Sequence, residues 1–189
     1  TLPGAAVSGQ DHPPAPSRIG SRTDTVRLFY PRLVNTFYGI GQQERFWFSE
    51  NEQSLLLRLA LKDIIDSAAN IGLNKNKYHY AELVNYTSKD LPAPDPSIAT
   101  SMDSIFTDIA IAFFKDIYQG ANISSLVSAD GLSAKYSEAD DHYILRRLSE
   151  ARSAILLRQT ANSLEPGVPA YLLLKEKLIK ELKTPRPDT

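Results

Sequence analysis

Residues 102–120 constrain this chain more than any others. Met102, Ile105, Phe106, Ile109, Phe113 and Ile117 recur at helical spacing, so one side of a helix there is nearly continuous hydrocarbon that other elements must cover. Asp103, Asp108, Lys115 and Asp116 fill remaining positions and are expected on a solvated face. If one is buried, it should pair with an arginine such as Arg146 or Arg147 and fix the helix register. Gly120 stands where a left-handed residue closes a helix.

A buried helix needs neighbours, and the periodicity elsewhere supplies them. Val26, Phe29, Leu33, Val34, Phe37 and Tyr38 fall at helical intervals, and Pro31 suits a first turn, so a helix is predicted from near Tyr30 until Gly39 and Gly41 stop it. Residues 45–48, RFWF, read as an extended piece pinned to the core by Trp47. Ser49 or Asn51 can cap a helix reaching about Ile71, with Leu57, Leu61, Ile64, Ala68 and Ile71 inward and Gly72 ending it. A shorter helix is expected near residues 80–86. The proline-rich residues 91–97 cannot be helical, and Ser97 is the expected cap of the central helix.

Asp130-Gly131 marks a tight turn. Ile144, Leu145, Leu148, Ile155, Leu156 and Leu164 then continue as one long helix or two, until Glu165-Pro166-Gly167 breaks the pattern. The last helix, reaching about Lys183, is expected to bury Tyr171, Leu174, Leu178 and Leu182. The fold class is therefore all-α, an irregular bundle of six or seven helices. A flexible tether over residues 1–22 precedes the helical domain of 23–183, and a disordered tail covers 184–189.

The chain has 189 residues, 42% of them hydrophobic, enough to bury a core without a disulfide or metal staple. Basic and acidic residues number 21 and 22, so no charge field favours nucleic acid or an anionic membrane. Apolar runs such as residues 109–114 fall short of the roughly 20 residues that span a bilayer. The absence of cysteine excludes thiol catalysis, disulfides and thiolate metal sites.

His12, His79 and His142 are isolated, with no HExxH pattern, so no cofactor or metal site is expected. Glu138, Asp140 and Asp141 fit a first helical turn better than an acid/base pair. His79 is expected to cap or pack a loop, and Phe29 and Phe37 belong in the core. Tyr38 and Phe48, expected to stay exposed, are with His79 the candidate partner contacts. A cysteine-free hydrolase would require His79 and two carboxylates to converge in a cleft. The first residue, Thr1, fits a removed export signal as well as trimming.

Five pieces of the chain, in order, resemble the scaffold domain of the larger bacterial L,D-transpeptidases, which make 3-3 cross-links in peptidoglycan. VRLFY at residues 26–30 with FWF at 46–48 is similar to the family's FY-then-W spacing. AANIGLNKNKYHY at 68–80 resembles its A-x-x-x-GL-x-x-x-x-Y run, and TDIAIAFFKDIYQG at 107–120 its TDA-x-x-x-(Y/F)-x-x-D-(L/I)-x-x-G stretch. The loop after that helix follows, and LEPGVPAYLLLKEKL at 164–178 is similar to the L-x-P-x-x-P-x-Y-x-x-L-x-x-x-L pattern. The resemblance implies a noncatalytic scaffold, periplasmic or otherwise exported, whose partner is a catalytic domain, a cell-wall protein or peptidoglycan itself.

The full-length enzymes use a cysteine nucleophile beside a histidine, in a motif ending S-x-G-C-x-R. This sequence has neither motif nor cysteine, so acyl transfer is not expected of it and no catalytic residue is carried over. The chain is expected to be either an N-terminal piece of such an enzyme or a free-standing relative. The contrasting expectation is an independent helical protein-interaction module.

Overall fold

The computed structural model describes residues 26–41, 45–49, 51–87, 95–119 and 138–184. The expected tether, His12, residues 91–94 of the proline-rich connection, Gly120, the Asp130-Gly131 turn and residues 185–189 lie outside them. Among the described residues there are seven α-helices, two 3₁₀ turns and no strand: α1 (Pro31–Gly41), α2 (Glu52–Asp66), the turns Ala68–Ile71 and Lys75–Lys77, α3 (Tyr80–Asn85), α4 (Pro96–Gln119), α5 (Glu138–Glu150), α6 (Ala154–Leu164) and α7 (Pro169–Lys183).

α4 is the axis. Fourteen of its 24 residues are buried, and the stretch from Ile105 to Lys115 is buried without a break. That stretch is therefore enclosed on all sides, and the expectation of a solvated face is corrected there. α1, α2, α5 and α6 all pack on it, with α1 also against α5 and α2 against α6. By length and a mean hydropathy of 1.3 α4 could cross a membrane, yet 72% of that window is buried against the other helices, the setting of a core helix.

Local chemistry sets the boundaries. Pro31 opens α1 at the position where its missing N–H costs nothing. Asn51 caps α2 by accepting from the Ser54 amide at 2.9 Å. α2 ends at Asp66, earlier than expected, and the chain tightens into the 3₁₀ turn before Gly72 at φ 76, where a side chain would be strained. Asp95, rather than Ser97, caps α4, taking the Ser97 amide at 2.9 Å. Residues 151–153 split the later pattern into α5 and α6, and Ser153 caps α6 through the Leu156 amide.

α7 departs most from expectation. None of its residues is buried, and Leu172, Leu173, Leu174 and Leu182 are exposed, with Leu173 and Leu174 each at 67%. Its main contact is with the 3₁₀ turn Ala68–Ile71. Periodicity identified the helix correctly but could not show how little of the molecule lies against it.

Candidate functional site

The polar residues of α4 define the chemistry of the interior. A carboxylate in apolar surroundings costs several kcal/mol unless donors saturate it. Asp103, 1% exposed, meets that demand with backbone. Its Oδ1 accepts from the amides of Trp47 at 2.7 Å and Phe48 at 2.8 Å, and its Oδ2 from the amide of Phe46 at 2.9 Å. The Tyr38 hydroxyl also donates to Oδ2. Three successive N–H groups form a concave anion nest, and the anion filling it comes from a helix more than 50 residues away in sequence.

The neighbours complete the lock. Trp47 Nε1 donates to Thr107 Oγ1 at 2.9 Å, and Thr107 shares a 2.8 Å hydrogen bond with Tyr38. Across the RFWF segment, Arg58 of α2 donates to the Trp47 carbonyl at 2.5 Å and lies over the Phe48 ring at 4.3 Å. The segment is held between a carboxylate on its amide side and a guanidinium on its carbonyl side. Burial, followed by the Asp103 charge, pushes the Tyr38 hydroxyl well above its ordinary range. Burial lowers the Arg58 guanidinium, opposed by Asp103.

Asp108, fully buried, accepts the amides of Phe29 at 2.7 Å and Tyr30 at 2.8 Å, fixing the segment that leads into α1. Burial raises its carboxyl, and the two amides and the His79 charge pull the other way. Asp116 accepts from Lys77 Nζ at 2.8 Å and the Tyr78 hydroxyl at 2.7 Å, while Lys115 pairs with Asp141 of α5 and lies 5.2 Å from the centre of the Tyr30 ring. The expected arginine partners, Arg146 and Arg147, are not the ones used: Arg146 bonds Glu150 and Arg147 bonds Ser163. Each acid of α4 instead ties down a different segment of irregular backbone, a role that helical periodicity gives no signal for.

The candidate contact residues are thereby placed. Phe48, expected at the surface, is only 5% exposed and packs edge-on to Phe106 at 5.2 Å. Tyr38 is half-buried with its hydroxyl engaged in the lock. Phe37 is in the core as expected, but Phe29 is 44% exposed and stacks on His79 at 4.3 Å. His79 is itself half-buried, at φ 45, in the left-handed region that a non-glycine residue enters only at a cost. It precedes α3 without making a side-chain cap, beside an open cleft of about 420 Å³ formed with Asn76, Lys77, Tyr80, Ala81 and Glu82. Its Nε2 is enclosed and has no hydrogen-bond partner among the described residues. Glu138, Asp140 and Asp141 lie in the first turn of α5 as expected, and His142 follows them, exposed. Among the described residues no three acidic or histidine side chains cluster in a way that could hold a metal.

The arrangement positions backbone: the buried carboxylates of Asp103 and Asp108 are taken up by main-chain amides and a tyrosine hydroxyl. The profile of the Scaffold domain family matches residues 32–178, a span that includes the seven described helices but for the first residue of α1 and the last five of α7. Neither a curated protein nor a solved structure matches the chain.

Proposed function

Because the chain belongs to the Scaffold domain family, the scaffold domain of L,D-transpeptidases, we propose that it supports peptidoglycan cross-linking outside the cytoplasm by holding a cysteine-bearing catalytic domain in place. The domain is noncatalytic by family. Acyl transfer of this class needs an activated nucleophile, and the sequence contains no cysteine to serve as one. The family match over residues 32–178 carries the reading. An interior that spends its buried charges on fixing backbone supports it, since a module that positions another must itself be stiff. The exposed leucines of α7 are the proposed contact with the catalytic domain, with the Phe29–His79 pair a second contact.

Titration of the purified chain with an isolated L,D-transpeptidase catalytic domain, monitored by calorimetry, tests this. Saturable binding that is lost on Leu173→Glu with Leu174→Glu is the expected result. No binding to the catalytic domain would sink the proposal, whether or not the chain binds purified peptidoglycan. The same leucines also favour a second reading, an independent interaction module, which requires a partner unrelated to the transpeptidases.

A further inference from the structure

The connection between α6 and α7 differs from every other joint described. Glu165 ends α6 in extended geometry, and Pro166, Gly167 and Val168 follow without a helical hydrogen-bond ladder of their own. A side chain added at Gly167 would meet nothing within 4 Å, and Val168 supplies no side-chain cap to α7. One polar anchor bridges this joint. The Glu165 carboxylate, with 14% of its side chain exposed, accepts from Lys175 Nζ at 2.6 Å and from the Tyr171 hydroxyl at 2.9 Å. Tyr171, Lys175, Leu178 and Ile179 form the half-buried side of α7, and nothing on the helix is fully buried.

Segments with few buried apolar contacts open at lower free energy than the core around them. From this joint we infer that α7 is an arm that opens as a unit about residues 165–168 while the rest of the bundle stays folded, and that the Glu165 carboxylate holds it closed. Among the described residues, opening costs α7 the cover of its half-buried side and the two bonds to Glu165. For α4 the equivalent event exposes fourteen buried residues and strips Asp103 and Asp108 of their donors. Opening at this joint does not depend on what binds α7.

Native-state hydrogen exchange on the full chain at low urea tests it. Amides of residues 173–183 should exchange roughly a hundredfold faster than those of residues 105–115 and with weaker urea dependence, because local opening exposes little surface. Glu165→Gln should speed exchange in α7 about tenfold and leave α4 unchanged, since the charge-assisted bonds to Lys175 and Tyr171 are weakened. In this cysteine-free chain, Leu178→Cys supplies a single thiol whose labelling rate should rise in parallel when Glu165→Gln is added. Equal rates and urea dependence in α7 and α4 would overturn the arm. A Glu165→Gln variant that shifts both helices alike, or neither, would overturn the role of Glu165.

Discussion

At the scale of single residues, Asp103 is the side chain on which most depends. It receives three main-chain amides and a tyrosine hydroxyl, close to the full acceptor capacity of a carboxylate. Asn at this position keeps the shape but exchanges one acceptor oxygen for an amine, which would point at donors. Asp103→Asn should therefore cost about 3 kcal/mol or more, read as a lower urea midpoint at unchanged slope. Glu138→Gln, at an exposed site, should stay within about 0.5 kcal/mol. A cost below about 1 kcal/mol for Asp103→Asn would mean that the nest is filled by something other than the carboxylate's charge. His79 offers a complementary test, because its φ of 45 is backbone geometry rather than contact. His79→Ala and His79→Gly both remove the stack on Phe29, but only glycine relaxes the left-handed strain. Glycine should be the more stable of the two by about 1 kcal/mol, against the usual preference for alanine.

Between elements, polar side chains make many of the joints, and Asp66 is one with a distinct pH response. It closes α2, and it gathers Lys62 at 2.6 Å, Lys75 of the second 3₁₀ turn at 3.1 Å and the hydroxyl of Tyr80 at the start of α3. Burial works against its charge, but the hydrogen bonds from Lys62, Tyr80 and Lys75 outweigh it and hold the carboxyl at about 2. A carboxyl lowered in the folded state contributes stability that is present above its unfolded value, near 4, and lost as pH falls toward 2. Thermal unfolding followed from pH 5 to pH 2 should show that loss, and Asp66→Asn should flatten it. Asp108, raised by burial, has the opposite sign: it favours the folded state as pH falls, so Asp108→Asn should steepen the acid decline. The helices themselves were legible from periodicity and caps, because apolar spacing and residues such as Pro31 and Asn51 act locally. The joints were not. Asp103 reaches amides some 55 residues away and Asp108 amides nearly 80 away, and nothing in an i to i+4 pattern distinguishes such an acid from a solvated one.

For the molecule as a whole, the same limit explains why α7 was expected to be inward. Tyr171, Leu174, Leu178 and Leu182 share a helical side, but a side is covered only if another element lies across it, and here the 3₁₀ turn Ala68–Ile71 is the main contact, leaving Tyr171 and Leu178 half-buried and Leu174 and Leu182 exposed. Four helices enclose α4, while five large apolar residues from Val168 to Leu182 remain more than half exposed. Surface of that kind contributes little to folding, because it stays in water in both the folded and the unfolded chain. Leu173→Ser with Leu174→Ser should therefore leave the unfolding free energy from urea titration within about 0.5 kcal/mol of the parent. Leu61→Ala, at a fully buried position on α2, should cost about 2–5 kcal/mol through lost burial and the cavity left behind. If α7 is the contact with a catalytic domain, the same double serine variant should also weaken that binding, separating what the leucines do for association from what they do for stability. A large loss of stability in the serine variant would mean instead that these leucines are covered by this chain itself, and the contact would have to lie elsewhere, with the half-buried His79 and the exposed Phe29 ring stacked on it the next candidate.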